Sequence, residues 1–178
     1  QALQIPVSSG LPRATTEIRF IANLPATATI PVPAFDRSNP ASFNAATSTT
    51  IYDSEGRASS VTLYYRRIEN PDPLSTDKLW EVHAFQGDDP VVPVAPPIPK
   101  VLTFDADGVL TDPATPVAFA GGFTIDHSGS TQLSEPFNVS FTEQNGYAPG
   151  RLEGVGVDLR GVVRATFSNG EVIAIGKV

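Results

Sequence analysis

Thr47-Ser48-Thr49-Thr50-Ile51-Tyr52, then Asp53-Ser54-Glu55-Gly56, then Ala58-Ser59-Ser60-Val61-Thr62-Leu63-Tyr64-Tyr65-Arg66, sets β-branched and aromatic residues on both sides of a four-residue turn. In the second arm Val61, Leu63 and Tyr65 alternate with Thr62, Tyr64 and Arg66. A repeat of two puts the apolar set on one face of a strand. An aspartate opening the turn and a glycine closing it supply the local chemistry of a tight reversal. The stretch predicts an antiparallel hairpin with one buried face.

The same reading extends outward. Only Ala41–Glu55, Arg57–Asn70 and Leu74–Gln86 are free of both Pro and Gly for 13 residues or more, and all three are rich in strand formers. A second hairpin is predicted at Val101–Phe104, Asp105-Ala106-Asp107-Gly108 and Val109–Leu110. In a third, Val155, Val157 and Leu159 alternate up to Arg160-Gly161, and Val163, Ala165 and Phe167 alternate on the return. Ser168-Asn169-Gly170 then turns the chain into Val172–Val178, Asn-Gly being the strongest short hairpin signal. Ile18–Leu24 and Leu79–Phe85 read as further strands, and Pro90–Pro99 as an extended loop or edge segment. One helical turn is expected at Ser38–Asn44, with Asn39 as cap and Pro40 in the first position. The fold class expected is all-β with very little helix.

Composition narrows the chemistry. The 178 residues contain 17 prolines, 14 glycines, two histidines, and no cysteine or methionine. Disulfides, thiol catalysis and thiolate metal sites are excluded. A formal net charge of −7 argues against nucleic acid or an anionic membrane as partner. The most apolar stretch, Val91–Val101, is cut by four prolines and falls short of a membrane span. No basic-then-apolar leader is expected at the N-terminus, and a chain opening on Gln1 is expected to be a trimmed core.

Candidate catalytic residues fare poorly. Val101–Asp112 resembles the first motif of haloacid-dehalogenase-type phosphatases, in which Asp105 would be nucleophile and Asp107 acid/base, with magnesium. That family needs a parallel sheet with crossover helices, and the 70 residues after Gly108 contain no helix-length pattern. The turn reading is preferred. His83 alternates along a strand with Glu81 and Phe85 as a sheet-surface residue, and His127 lies in a Gly/Ser loop. Asp88-Asp89 reads as an exposed turn, and Arg66-Arg67 is too small for a nucleic-acid patch. Asn138-Val139-Ser140 matches a glycosylation acceptor. No catalytic residue, metal or cofactor is expected.

The string Asn145-Gly146-Tyr147-Ala148-Pro149-Gly150-Arg151-Leu152, followed by the apolar strand to Asp158, Gly161-Val162-Val163 and Phe167-Ser168-Asn169-Gly170, resembles the bacterial flagellar rod and hook family. The Asp53–Gly56 hairpin, Leu79-Trp80-Glu81-Val82, Leu102–Gly108 and Ile21–Ala26 look like the outer domain of its hook members. Arg57-Ala58-Ser59 departs from the Asn-Ala-His common there. The resemblance implies two small sandwich- or barrel-like β domains. Residues 14–143 would form an outer domain inserted into a discontinuous inner domain of 1–13 and 144–178. The family-motif turn residues would be Asp53, Gly56, Asp105, Asp107, Gly108, Gly146, Tyr147, Gly150, Gly161, Asn169 and Gly170.

It further implies a structural subunit of an extracellular helical tube, exported without a cleaved signal peptide. Its partners would be other copies of the full-length chain and other axial proteins, while this stretch alone would be monomeric. The competing expectation is a secreted β-sandwich that binds carbohydrate through an exposed cluster of Tyr64, Tyr65 and Trp80.

Overall fold

A computed structural model of the chain describes residues 10–177. The expected inner-domain assignment of residues 1–9 and the last residue of the Val172–Val178 strand lie outside the described residues. Among the described residues the chain forms thirteen strands and a single 3-10 turn, so the fold is all-β. It divides into two compact units. One takes 10–15, Ile51–Ala58 and 146–177, and the other takes Thr16–Thr50 and Ser59–Asn145.

The larger unit carries two sheets, and two strands of the first extend by chain continuity to Ile51-Tyr52 and Ala58 of the smaller unit. The first is built from β2 (Ala45–Tyr52), β3 (Ala58–Ile68), β4 (Lys78–Gln86), β6 (Lys100–Phe104) and β7 (Leu110–Asp112), in that order, with β5 (Asp89–Val91) also on β4. In the second, β10 (Asn138–Gln144), β1 (Glu17–Asn23), β9 (Thr124–Asp126) and β8 (Val117–Ala118) lie side by side. The antiparallel register sets Leu63 opposite Ala84, Tyr65 opposite Val82 and Trp80 opposite Leu102. One face of this sheet therefore carries Val61, Leu63, Tyr65, Trp80, Val82, Leu102 and Phe104, all buried. The second sheet buries Ile18, Phe20, Ala22 and Ile125. Tyr65 joins the two layers: its hydroxyl lies 3.2 Å from His127 Nε2, and its ring is 5.9 Å from that of Phe137. Burying each large apolar side chain in this sandwich contributes about 1.5–3 kcal/mol.

The opposite face of the β3–β4 pair is covered by the chain between β1 and β2. There the Arg66 guanidinium donates to the carbonyls of Pro31 and Pro33, while Arg67, on the core-side face opposite Trp80, reaches the same segment and donates to the carbonyls of Ala26 and Ala28. Phe35 stacks on His83 with ring centres 3.7 Å apart and planes 6° apart. Phe35 and Phe43 both meet Tyr64 edge-on. The 3-10 turn, Pro40–Ser42, sits in this strap, with the Asn39 side chain accepting from Ala41 N at 3.1 Å.

The smaller unit holds β11 (Leu152–Val157), β12 (Val162–Phe167) and β13 (Val172–Lys177) in one antiparallel sheet. Val163, Ala165 and Phe167 are buried on the central strand, whereas all six residues of β11 are exposed. The expected alternation on β11 stops at Val157. Leu159 lies instead in the turn from Asp158 to Gly161, fully exposed, because the Asp-x-x-Gly reversal claims it. Likewise, the return strand expected at Val109–Leu110 is Leu110–Asp112, with Val109 still in the turn and bridged to Thr131.

The proline-rich tract takes an edge role. Pro90 lies in β5 opposite Phe85, and Val94 N and Ala120 N donate across to Ala118 O and Val92 O.

Candidate functional site

Five reversals share one backbone device. In 53–57, 105–109, 119–123, 158–162 and 167–171 the fourth residue is a glycine with φ between 75° and 83°. In each, its N–H donates to the carbonyl of the first residue, and the first residue's N–H donates to the carbonyl of the fifth. This is a three-residue hairpin loop closed by a left-handed glycine. Three of the five open on aspartate. One carboxylate oxygen of Asp53 accepts from Glu55 N and Arg57 N, that of Asp105 from Asp107 N and Val109 N, and that of Asp158 from Arg160 N and Val162 N. These amides, Arg57 N and Val162 N foremost, hold the Asp53 and Asp158 carboxyls below the usual carboxylate range. Asp105 thus closes an antiparallel hairpin, the reading preferred from sequence. Arg57 pairs with Asp53 at 2.9 Å and Glu55 at 2.7 Å.

The other motif residues gather in the smaller unit around a two-stranded ladder. Arg13 and Tyr147 exchange both backbone hydrogen bonds, at 3.0 and 2.9 Å, and Gly150 N donates to Gly10 O at 3.3 Å. Three glycines permit close approach there. A Cβ on Gly146 would lie 2.2 Å from Thr15 Oγ1, one on Gly150 2.4 Å from Asn169 Oδ1, and one on Gly56 2.3 Å from Pro149 Cδ and 2.8 Å from Pro12 Cβ. The Asn169 side chain donates to Ala148 O at 3.3 Å and accepts from Glu171 N at 3.1 Å, clasping the hairpin tip over the ladder. Gly56, Gly146, Tyr147, Gly150 and Asn169 therefore belong to one set of close contacts, with Gly170 closing the hairpin tip next to Asn169. Asp105, Asp107 and Gly108 belong to the larger unit, where Gly108 packs against the Gln132 carbonyl. Gly161 closes the turn between β11 and β12. Sequence reasoning passed over Pro12, Thr15 and Glu171, none of which carries a local motif. Asp158 was visible as the third Asp-x-x-Gly.

Both histidines pack against aromatic rings of the larger unit, His83 on Phe35 and His127 between Phe20 and Tyr65. Burial lowers the His127 pKa to about 4, against a smaller opposing pull from Asp126, so its ring is neutral beside Tyr65. Burial also lowers that of His83, although Glu81 opposes it. Among the described residues no group of three or more His, Cys, Asp and Glu side chains is gathered to hold a metal ion. The expected aromatic sugar platform is corrected. Tyr65 and Trp80 are buried at 1% and 0% exposure inside the sandwich, and Tyr64 lies under Phe35 and Phe43. Two open grooves of the larger unit, about 420 Å³ beside Glu17 and Arg19 and about 710 Å³ beside Pro96 and Pro113, are lined without an aromatic ring.

Residues 23–147 match the family model of the flagellar basal body protein FlaE D2 domain. This chain belongs to that family. The FlaE D2 match spans most of the larger unit and ends at Tyr147, within the ladder. The flagellar hook protein FlgE of Escherichia coli (strain K12) is 28% identical over 189 residues, covering 99% of this chain and 44% of the relative. That of Rhizobium meliloti (strain 1021) is 31% identical over 140 residues, covering 71% of this chain and 32% of the relative. The chain thus spans less than half the length of these curated relatives. Among solved structures, Helicobacter pylori flagellar hook protein FlgE2 shares the fold of this FlaE D2 family member with a TM-score of 0.51. The match has 21% identity and covers 75% of this chain and 32% of that one.

Proposed function

We propose that this chain serves as part of a structural, non-catalytic subunit of the bacterial flagellar hook, outside the cell, in a helical tube that transmits torque to the filament. The observation that carries this reading is the hook-protein similarity along 99% of the chain, together with the FlaE D2 match. On this reading residues 14–143 form an outer domain inserted into an inner domain of 1–13 and 144–178, and the eleven motif residues serve as turn and close-contact positions. Partners are further copies of the full-length subunit and other axial proteins. Repeated heterologous contacts of that kind build an open helix rather than a closed ring.

The test is a chimera in which residues 1–178 replace the matched segment of the Escherichia coli hook protein. Hooks visible by electron microscopy are expected. A chimera that is exported and folded yet forms no hooks would overturn the proposal. The catalytic alternative is checked by assaying magnesium-dependent hydrolysis of a phosphate ester, for which no activity sensitive to Asp105→Asn is expected.

A further inference from the structure

We propose that Asn169-Gly170 is a site of spontaneous deamidation whose product loosens the clasp over the 10–13/147–150 ladder. The chain contains two Asn-Gly pairs that bear on this ladder, and the structure treats them differently. At Asn145 the side chain is pinned by three hydrogen bonds: Oδ1 accepts from Thr16 N at 2.9 Å and Glu17 N at 3.1 Å, and Nδ2 donates to Thr16 Oγ1 at 2.9 Å. The following Gly146 is buried, with Thr15 and the Arg13 carbonyl crowding it. At Asn169 two bonds hold the side chain among the described residues, at 3.1 and 3.3 Å. Gly170 is exposed at the hairpin tip, with open space where a Cβ would stand.

The chemistry needs nothing beyond water. The Gly170 backbone nitrogen, once released from its 2.9 Å hydrogen bond to Phe167 O at the tip, gives its proton to solvent base and attacks Asn169 Cγ. The new N–Cγ bond forms as Cγ–Nδ2 breaks, and ammonia departs with a proton from water. Hydrolysis of the resulting succinimide at either carbonyl leaves an aspartate or an isoaspartate at position 169. Glycine at the next position lets the ring close because it has no Cβ to obstruct the approach.

The product acts on the clasp through charge. Asn169 Nδ2 is a donor to Ala148 O, and a carboxylate in its place has no proton to give. Among the described residues Glu171 Oε2 is buried without a hydrogen-bond partner, and it converges on the same spot above Gly10 as Asn169 Nδ2, the Cβ site there lying 2.3 Å from one and 3.3 Å from the other. Deamidation sets a second carboxylate beside this one, and like charges repel.

The purified chain would be aged at mildly alkaline pH and mapped by peptide mass spectrometry with enzymatic isoaspartate detection. Conversion at Asn169 is expected to run several-fold faster than at Asn145; equal rates, or faster conversion at Asn145, would overturn the site. Amide hydrogen exchange at Tyr147 and Gly150 is then compared in fresh protein, aged protein and the Asn169→Asp variant. Several-fold faster exchange is expected in the last two, with Val82 in the larger unit unchanged, and restoration when Glu171→Gln is added. Unchanged exchange at Tyr147 and Gly150 in aged protein, or no restoration by Glu171→Gln, would overturn the loosening.

Discussion

Gly108 and Gly122 occupy the same turn position with nearly the same φ, 79° and 81°, and differ in what surrounds them. A Cβ on Gly122 meets nothing within 4 Å, whereas one on Gly108 would sit 2.3 Å from the backbone oxygen of Gln132. Gly122→Ala should therefore cost only the left-handed penalty of about 1–2 kcal/mol. Gly108→Ala must also displace main chain and should cost at least about 3 kcal/mol. Urea midpoints followed by circular dichroism check the order, and equal midpoints would contradict it. His127 makes a second prediction. Its folded pKa of about 4 lies below the unfolded value near 6.5, so between these pH values the unfolded chain binds the extra proton. Stability from this group is full above about pH 6.5 and falls as pH drops toward 4, by about 3 kcal/mol in all. The slope should shrink by about one proton in His127→Gln, measured by urea titration across that range.

The first hairpin and the strap show what an element needs in order to form. Val61, Leu63 and Tyr65 are buried as their alternation predicts, so this strand was legible from a repeat of two. Leu63→Ala should cost about 2–5 kcal/mol, read from thermal melting. The Asp-x-x-Gly turns were legible because an aspartate oxygen and a left-handed glycine act within five residues. The short strands of Pro113–Ser134 were not. β9 pairs in parallel with β1, Glu17 opposite Thr124, and no local pattern announces a partner so far away in sequence. β10 escaped notice for another reason: its residues are largely exposed, so no buried face writes an alternation into Asn138–Gln144. The strap was hidden because its anchors are arginines donating to carbonyls, a bond available to any sequence on the accepting side. Phe35→Ala removes the stack on His83, and limited proteolysis should then cut faster within 25–44, with the strands still resistant.

At the scale of the whole molecule, the motif residues resembling the hook family were legible as a string but not as an arrangement. Gly56 and Gly146 lie far apart in sequence, yet both are needed small around the same few residues, Pro12 to Thr15 and Pro149. Their common role follows only once the ladder is formed. In solution the chain by itself is expected to sediment as a single 18.8 kDa species. A ring or filament of this stretch alone would count against assembly that depends on the full-length subunit.

The chain has one tryptophan, Trp80, and it lies at the centre of the larger unit, fully screened from water. Intrinsic tryptophan emission is consequently a private signal of that sandwich, blind to the β11–β12–β13 sheet. Far-ultraviolet dichroism sums over both units. Overlaying the two traces along one denaturation ramp converts a single residue's position into a direct reading of whether the units melt in concert or in turn.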